Sequence, residues 1–550
     1  MTNELDLIIT AFKKHLALLF PKVTTAFDVM LNIDAERQQF GDLSSPVALI
    51  YARELKTNPM ILARAIIQNF EHPLVASIQI AGPGFINFTL TPSFFTAITQ
   101  KILSHGSSFF KQDKSLPIYR YNIEFVSANP TGPLHIGHGR GGIIGDVLST
   151  ILTFLGHTVT KEFYINDAGN QIEKLGASFK IRCQQAVGMA ALLPEDGYHG
   201  DYLVELAQQA QAQFGDQLAM QPDSFYATYA KNYLLEKIKN TLAAYGIIFD
   251  VWFSEKTLHD SAVIPQALEK IKQANYLYEK DGALWFASTA FGDDKDRVVR
   301  RADGQLTYVA ADIAYLENKL ERGAEKLVMV LGQDHHSYVT RLKAVLEALG
   351  RDPSALDVIL YQLVTIKNEG ETVRLSKRAG RIVSLEDIIE TVGKDVARFF
   401  YLHRKADAHL DFDLALALSR TEENPVYYIQ YAYVRTISLL EKAARTGTTF
   451  MQINASDAPF LTGKEHLIIK KILALKELLS DIARHHQTHL LAYYIFDLAQ
   501  LFHNYYGGSI KIIDTENVAA SRARLLTVTL VRDTLKLCLQ LLGVSTPDKM

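Results

Sequence analysis

The chain has 550 residues, too many for one hydrophobic core, so three or four domains are expected. It is 48% apolar and 21% charged with a formal net charge of −3, the balance of an ordinary globular protein. That charge excludes a globally basic nucleic-acid binder, so any RNA contact must come from local patches. The two cysteines, Cys183 and Cys538, are too few and too far apart for a disulfide framework or a four-ligand zinc site. The opening MTNELDLIITAFKKHLALLF lacks the basic start and unbroken apolar run of a signal peptide, and no run of about 18 apolar residues occurs. A cytoplasmic protein is expected.

Residues 1–110 read as a small α+β domain. Leu5, Ile8, Ile9, Phe12, Leu16 and Leu19 recur at helical spacing. Further helices are predicted over 46–55 and 58–69, then a hairpin over 77–90 that turns at Gly82-Pro83-Gly84. From His105 the chain reads as a linker as far as Pro117. Sequence alone gives this domain no chemistry.

Residues 118–375 alternate strand and helix, which predicts a largely parallel sheet. A strand over 121–126 runs into ANPTGPLHIGHGR at 128–140, where Asn129-Pro130 and Gly132-Pro133 break regular structure. After Gly141 the apolar residues Ile144, Val147, Leu148, Ile151, Leu152 and Leu155 predict a helix that Gly156 stops. His135 and His138 therefore sit between a strand end and a helix start. In open α/β sheets that crevice binds ligands, and orphan amides at the helix N-terminus favour phosphate. Two imidazoles there can donate to phosphate oxygens, and Gly137 leaves room for a flat base against the backbone. The bland alternative is a turn with two solvated or capping histidines.

A stretch over about 188–244, rich in Ala, Gln and Leu, reads as a helical insertion without a hydrolytic residue set. A strand at Val251-Trp252-Phe253, a helix over 258–274 and an antiparallel pair (282–287 with 297–301) follow. Asp334-His335-His336 invites a metal reading; it is rejected because neighbours on a strand point to opposite faces and further ligands are missing. Between Lys367 and Arg381 lie five basic and two acidic residues with Gly370 and Gly380, either a basic loop over a triphosphate or a solvated charge run. Residues 376–422 then connect to a helical bundle over 423–550. There Tyr427, Tyr428, Tyr431 and Tyr433 stack bases or, as helical spacing favours, pack at a bundle edge.

HIGH at 135–138, with its left flank IEFVSANPTGPLHIGHGR, resembles the signature of arginyl-tRNA synthetases, a class I aminoacyl-tRNA synthetase family of bacterial type here. YINDAGNQ (164–171), GQLTYVAADIAY (304–315), LGQDHHSYVTRLKA (331–344), RLSKRAG (374–380) and ENPVYYIQYAYVR (423–435) follow in that family's order. The resemblance covers essentially the whole chain. It implies a Rossmann-like α/β catalytic domain over 118–375, an α+β N-terminal domain that contacts the D-loop corner of tRNA, and an all-α C-terminal bundle that binds the anticodon.

It also implies arginine–tRNA ligase activity: ATP and L-arginine form arginyl-adenylate, and the 2′-OH of the terminal adenosine of tRNA-Arg takes the arginyl group. His135, His138 and Lys377 would be catalytic. Pro133, His135, Gly137, His138, His335, Ser376, Lys377 and Arg378 would bind ATP, with Mg²⁺ on the pyrophosphate. A guanidinium is a planar fork of donors best met by carboxylates. By resemblance Tyr308 and Asp312 hold it, while Glu124, Asn129 and Gln333 hold the head of the substrate. No resident metal is expected, the protein would be a monomer, and adenylate formation would need bound tRNA. Arg374 and Leu375 depart from the family's KMSKR consensus, which puts in doubt any role that needs a compact ammonium at 374. The alternatives are a synthetase for another cationic amino acid and an inactive RNA-binding paralogue.

Overall fold

The computed structural model describes residues 3–113, 115–167, 169–368, 371–372, 384–508 and 510–550. The chain forms two compact units: Met1–Pro117 with Arg420–His485 and Leu490–Met550, and Ile118–Ser419 with His486–His489.

In the first unit, helix Glu4–Leu19 starts at a reciprocal cap between Asn3 and Asp6 and buries Ile8, Phe12 and Leu16. Helices Val47–Leu55 and Pro59–Ile67 follow. An antiparallel sheet runs in the order Met30–Leu31, Leu43–Ser45, Phe85–Leu90, Val75–Ala81. Two elements differ from the sequence reading. Helix Pro92–His105 was not anticipated, although Thr91 caps it and Pro92 suits a first turn. The predicted linker begins instead with the 3-10 turn Gly106–Phe110, because Phe109 and Phe110 are buried. Two adjacent aromatics carry enough apolar area to pin a short segment to a core.

The helices Pro425–Thr446, Gly463–His485, His489–Tyr506 and Val518–Leu542 match the predicted bundle elements. They pack with the N-terminal region inside this unit. The buried Lys470 ammonium donates to Asp42 Oδ1 at 2.7 Å, and the His466 ring stacks on Phe95 at 3.7 Å.

The second unit holds a five-stranded, wholly parallel sheet. Its order is Leu356–Tyr361, Lys326–Gly332, Arg120–Phe125, Thr158–Ile165, Val251–Ser254. The chain starts at 120–125, winds outward through 158–165 to 251–254, then crosses back to 326–332. The strand order therefore reverses between 120–125 and 326–332, with Glu124 in register with Met329. A crevice opens at the carboxyl ends of two such strands.

The helical insertion is built from Asn170–Ala186, Asp201–Phe214 and Asp223–Ala244 around Leu175, Phe179, Leu203, Leu206 and Tyr226. Its packing thus begins earlier than residue 188. The helix predicted over 258–274 is two helices, Glu255–Asp260 and Val263–Gln273. Pro265 explains the break: its ring would clash with the carbonyl of residue 261 in a continuous helix. A small sheet pairs Ala283–Phe286 with Arg297–Arg300, as predicted, and adds Leu277–Lys280. Another pairs Val364–Asn368 in parallel with Leu410–Asp413.

Candidate active site

Strand Arg120–Phe125 ends in a backbone that side chains seldom adopt: Val126 has φ 68° and Ser127 φ 40°. A β-branched residue there stores strain of about 1–3 kcal/mol and persists only when its surroundings over-determine it. The Ser127 side chain supplies that determination. Its hydroxyl donates to Glu124 Oε1 at 3.0 Å and accepts from the Tyr164 N–H at 3.0 Å, while the Ser127 N–H donates to the Phe125 carbonyl. The kink turns the chain off the sheet at the switch point.

The following helix, Ile136–Leu155, starts earlier than the sequence suggests, so Gly137 and His138 lie in its first turn. Five glycines fall between 137 and 145, where the helix packs closely against its neighbours. A methyl on Gly139 would sit 2.5 Å from Leu385 Cδ1 and 2.7 Å from Tyr401 Cζ. His135 is the N-cap. The His135 N–H donates to His138 Nδ1 and the Gly137 N–H to His135 Nδ1, each at 3.1 Å. The rings stack with centroids 3.6 Å apart.

With both Nδ1 atoms accepting, the ring protons belong on Nε2, so each histidine offers an Nε2–H donor. Burial lowers the His135 pKa. Burial, and then the neighbouring His135, push His138 down to about 3. Both rings are neutral at pH 7. The capping and phosphate-binding readings of this pair are therefore compatible: the caps fix the tautomer, and the outward N–H groups are left for a ligand.

Across the switch point, helix Tyr308–Glu321 presents Tyr308, Asp312, Tyr315 and Lys319 at i, i+4, i+7 and i+11, which is one helical face. Lys319 is fully buried and paired with Glu124 on the strand. Its ammonium also lies 4.0 Å from Glu162 and 4.3 Å from the Tyr315 ring centroid. Burial raises the Asp312 carboxyl to about 7; the Tyr338 hydroxyl and Arg341 pull it down, and Glu255 and Glu124 push it up. Burial, then the charges of Glu255, Asp312 and Glu124, raise the Tyr164 hydroxyl. Asp312, Glu124 and Glu255 are thus close enough to influence one another's ionisation, with Lys319 already on Glu124.

Three family descriptions match in sequence. "Arginyl tRNA synthetase N terminal domain" matches residues 6–90, "tRNA synthetases class I (R), catalytic domain" matches 99–400, and "DALR anticodon binding domain" matches 429–550. An arginine–tRNA ligase of Geobacillus thermodenitrificans is 42% identical over 529 residues, covering 95% of this chain and 94% of that one. The chain belongs to the arginyl-tRNA synthetase family. An arginine–tRNA ligase of Moorella thermoacetica is 43% identical over 93% of this chain and 92% of that one. The solved structure of a putative arginyl-tRNA synthetase from Campylobacter jejuni superposes with a TM-score of 0.77 at 34% identity, covering 84% of this chain and 100% of that one. The Thermus thermophilus arginyl-tRNA synthetase, at 21% identity and a TM-score of 0.76 over 98% of this chain and 99% of that one, shares the fold.

Within this synthetase fold the anticipated residues occupy different environments. Glu124 is buried, with Lys319 on one oxygen and Ser127 on the other. Asp312 and Gln333 are half-buried, whereas Asn129, Pro133, His335 and Tyr308 are exposed. Asp334-His335-His336 does not lie on a strand: Gln333–His335 is a 3-10 turn and His336 opens helix His336–Ala348, so the strand argument against a metal there does not apply. Ser376, Lys377 and Arg378 lie outside the described residues, as do Arg374 and Leu375. Sequence reasoning missed Lys319, Tyr338, Arg341, Tyr164 and Glu255. Lys319 was reachable, since it continues the helical face of Tyr308 and Asp312. Tyr338, Arg341 and Glu255 come from other elements, and no spacing rule joins them to Asp312.

Proposed function

We infer that this chain is an arginine–tRNA ligase: it activates L-arginine with ATP to arginyl-adenylate, releases pyrophosphate, and transfers arginine to the 3′-terminal adenosine of tRNA-Arg. The observation that carries the reading is one strand, Arg120–Phe125, that bears Glu124, coupled to Asp312 and Glu255, and leads into the neutral imidazole pair. The α-carboxylate of arginine is already ionised at neutral pH, so no general base is needed to attack the α-phosphate. Placement and charge neutralisation remain to be supplied.

Asp312, with Tyr308 nearer the solvent, is proposed to take the guanidinium. Glu124, Asn129 and Gln333 orient the head of the substrate, with Glu124 held in place by Lys319. The Nε2–H groups of His135 and His138 donate to phosphate oxygens, Pro133, Gly137 and His335 shape the nucleotide site, and Ser376, Lys377 and Arg378 neutralise the phosphates. Mg²⁺ is read as entering on the ATP phosphates. Among the described residues no three His, Cys, Asp or Glu side chains group as a metal site.

Residues 1–110 are proposed to contact the D-loop corner of tRNA, 118–375 to catalyse, 376–422 to carry the signature segment and connecting helices, and 423–550 to read the anticodon. We read the protein as a cytoplasmic monomer. Both cysteines are free and buried, in keeping with a reducing compartment, and among the described residues no helix is long and apolar enough to cross a membrane.

An aminoacylation assay with tRNA, ATP and each of the twenty amino acids tests the reading. Charging by arginine alone is the expected result. Charging by another amino acid favours a different synthetase, and no charging with intact tRNA binding favours an inactive RNA-binding paralogue. Arginine-dependent pyrophosphate exchange is expected only with tRNA present.

A further inference from the structure

The Arg140 side chain is fully buried two residues beyond His138. Among the described residues it has no carboxylate in its hydrogen-bond set. Nη1 donates to the carbonyls of Gln362 at 2.8 Å and Ala408 at 2.7 Å, Nη2 donates to that of Lys405 at 2.9 Å, and Nε finds no acceptor among the described residues. Burial lowers its pKa to about 10, with Asp407 and Tyr361 countering weakly. Burying a guanidinium whose hydrogen bonds all go to neutral carbonyls is costly, and an apolar side chain of similar volume would fill the space more cheaply. What arginine adds is reach and a rigid fork, which bind carbonyls of two chain segments at once.

Those segments lead into the two parallel strands Val364–Asn368 and Leu410–Asp413. The Gln362 N–H also donates to the Ala406 carbonyl at 2.9 Å, so the two segments are cross-linked to each other as well as to Arg140. A second tie lies at the other end of the signature turn, where the Leu385 N–H donates to the Leu134 carbonyl at 2.8 Å. The signature segment is thus tied at Leu134, just ahead of the helix, to Leu385, and at Arg140, in the helix's second turn, to the carbonyls of Gln362, Lys405 and Ala408. Asp312 and Tyr338 belong to neither.

We propose that Arg140 is a positioning residue for adenylate formation: it fixes the helix bearing His135 and His138 against the backbone at residues 362 and 405–408 and so sets where the ATP phosphates lie. The proposal rests on the ligase reading above. Its specific consequence is asymmetry, because the nucleotide side depends on this clamp and the arginine slot does not.

The test compares wild type, Arg140→Met and Arg140→Lys in arginine-dependent pyrophosphate exchange with tRNA present, alongside thermal unfolding. Activity of the wild type tests the ligase reading separately. Arg140→Met is expected to lower kcat about 100-fold and raise the ATP KM about tenfold, with the arginine KM within about twofold of wild type. Arg140→Lys, which keeps a cation but not the fork, should recover at least about tenfold of the lost rate. The proposal fails if both KM values rise together, if the rate falls only in proportion to folded protein, or if Arg140→Met behaves as wild type. If Arg140→Met does not fold, Arg140→Lys decides: a lower kcat with a raised ATP KM at unchanged Tm supports it, and an unchanged kcat overturns it.

Discussion

Lys319 and Glu124 form an ion pair in the interior of the catalytic unit, the lysine on helix Tyr308–Glu321 and the glutamate on strand Arg120–Phe125. The same network holds Glu162, which accepts from Tyr315 at 2.5 Å and from Arg322 at 2.6 Å. Burial pushes the Glu162 carboxyl up, but Lys319, Arg322 and Tyr315 bring it below the usual range. A resident cation therefore sits beneath the slot proposed for the cationic substrate, and fixes the helix that carries Asp312.

Breaking that pair from one side leaves a buried charge uncompensated. Lys319→Met is expected to destabilise the protein by about 3–5 kcal/mol. Adding Glu124→Gln should return part of that stability. Urea unfolding of both single variants and the double variant gives the coupling. Additive losses would mean that the two residues do not act as a pair.

The Asp312 carboxyl, raised to about 7 by burial, must be ionised to hold a guanidinium. Below pH 7 binding has to expel a proton, so the arginine KM should rise about tenfold per pH unit there and level off above it. Asp312→Asn should raise the KM by roughly 30- to 5,000-fold, from the roughly 2–5 kcal/mol of a truncated buried charge pair. It should also flatten the profile. A profile unchanged by the substitution would place the titrating group elsewhere.

His138→Ala removes one donor from the pair at the helix start. The rate of arginine activation should fall about 10²–10³-fold, the scale for one preorganised hydrogen-bond donor. Affinity for tRNA should stay within about twofold. Because His138 is held down to about 3, its own protonation should leave no inflection between pH 5 and 8 in the wild-type rate. Normal activation with lost tRNA binding would contradict the assignment.

Gly145 faces Phe125 so closely that a methyl group would overlap the ring. Gly145→Ala should cost about 1–3 kcal/mol as overpacking despite alanine's better helix propensity. Calorimetry would show a lower Tm. A raised Tm would mean that the helix can move off the strand.

In the helical bundle the tyrosines separate by environment. Tyr433 is buried, whereas Tyr431 is half-buried with Arg435 4.7 Å over its ring and Tyr427 near-parallel to it at 6.2 Å. Tyr433→Ala should destabilise by about 3–5 kcal/mol, in line with loss of a large core aromatic. Tyr427→Ala should keep the fold and weaken tRNA binding by about 1–3 kcal/mol if a base stacks there. Equal stability losses in the two variants would assign both rings to packing.

The sequence by itself determined the elements, their order and the family, since these follow from periodicity, breakers and motifs that are local. The bundle helices, the hairpin at 82–84 and the strand before HIGH are where apolar spacing put them. Tertiary structure decided the rest. Spacing along the chain gives no reason for glycine at 139 and 145; Leu385, Tyr401 and Phe125 show that only a residue without a side chain fits. Phe109 and Phe110 turned an expected linker into packed chain. The acidic slot was half legible: Asp312 follows from its motif, but its repulsion from Glu124 and Glu255, and the lysine beneath, exist only because a parallel sheet brings residues 124, 255 and 319 together. Charge–charge energy depends on distance through space and on the water excluded along the way, and neither is written in spacing along the chain.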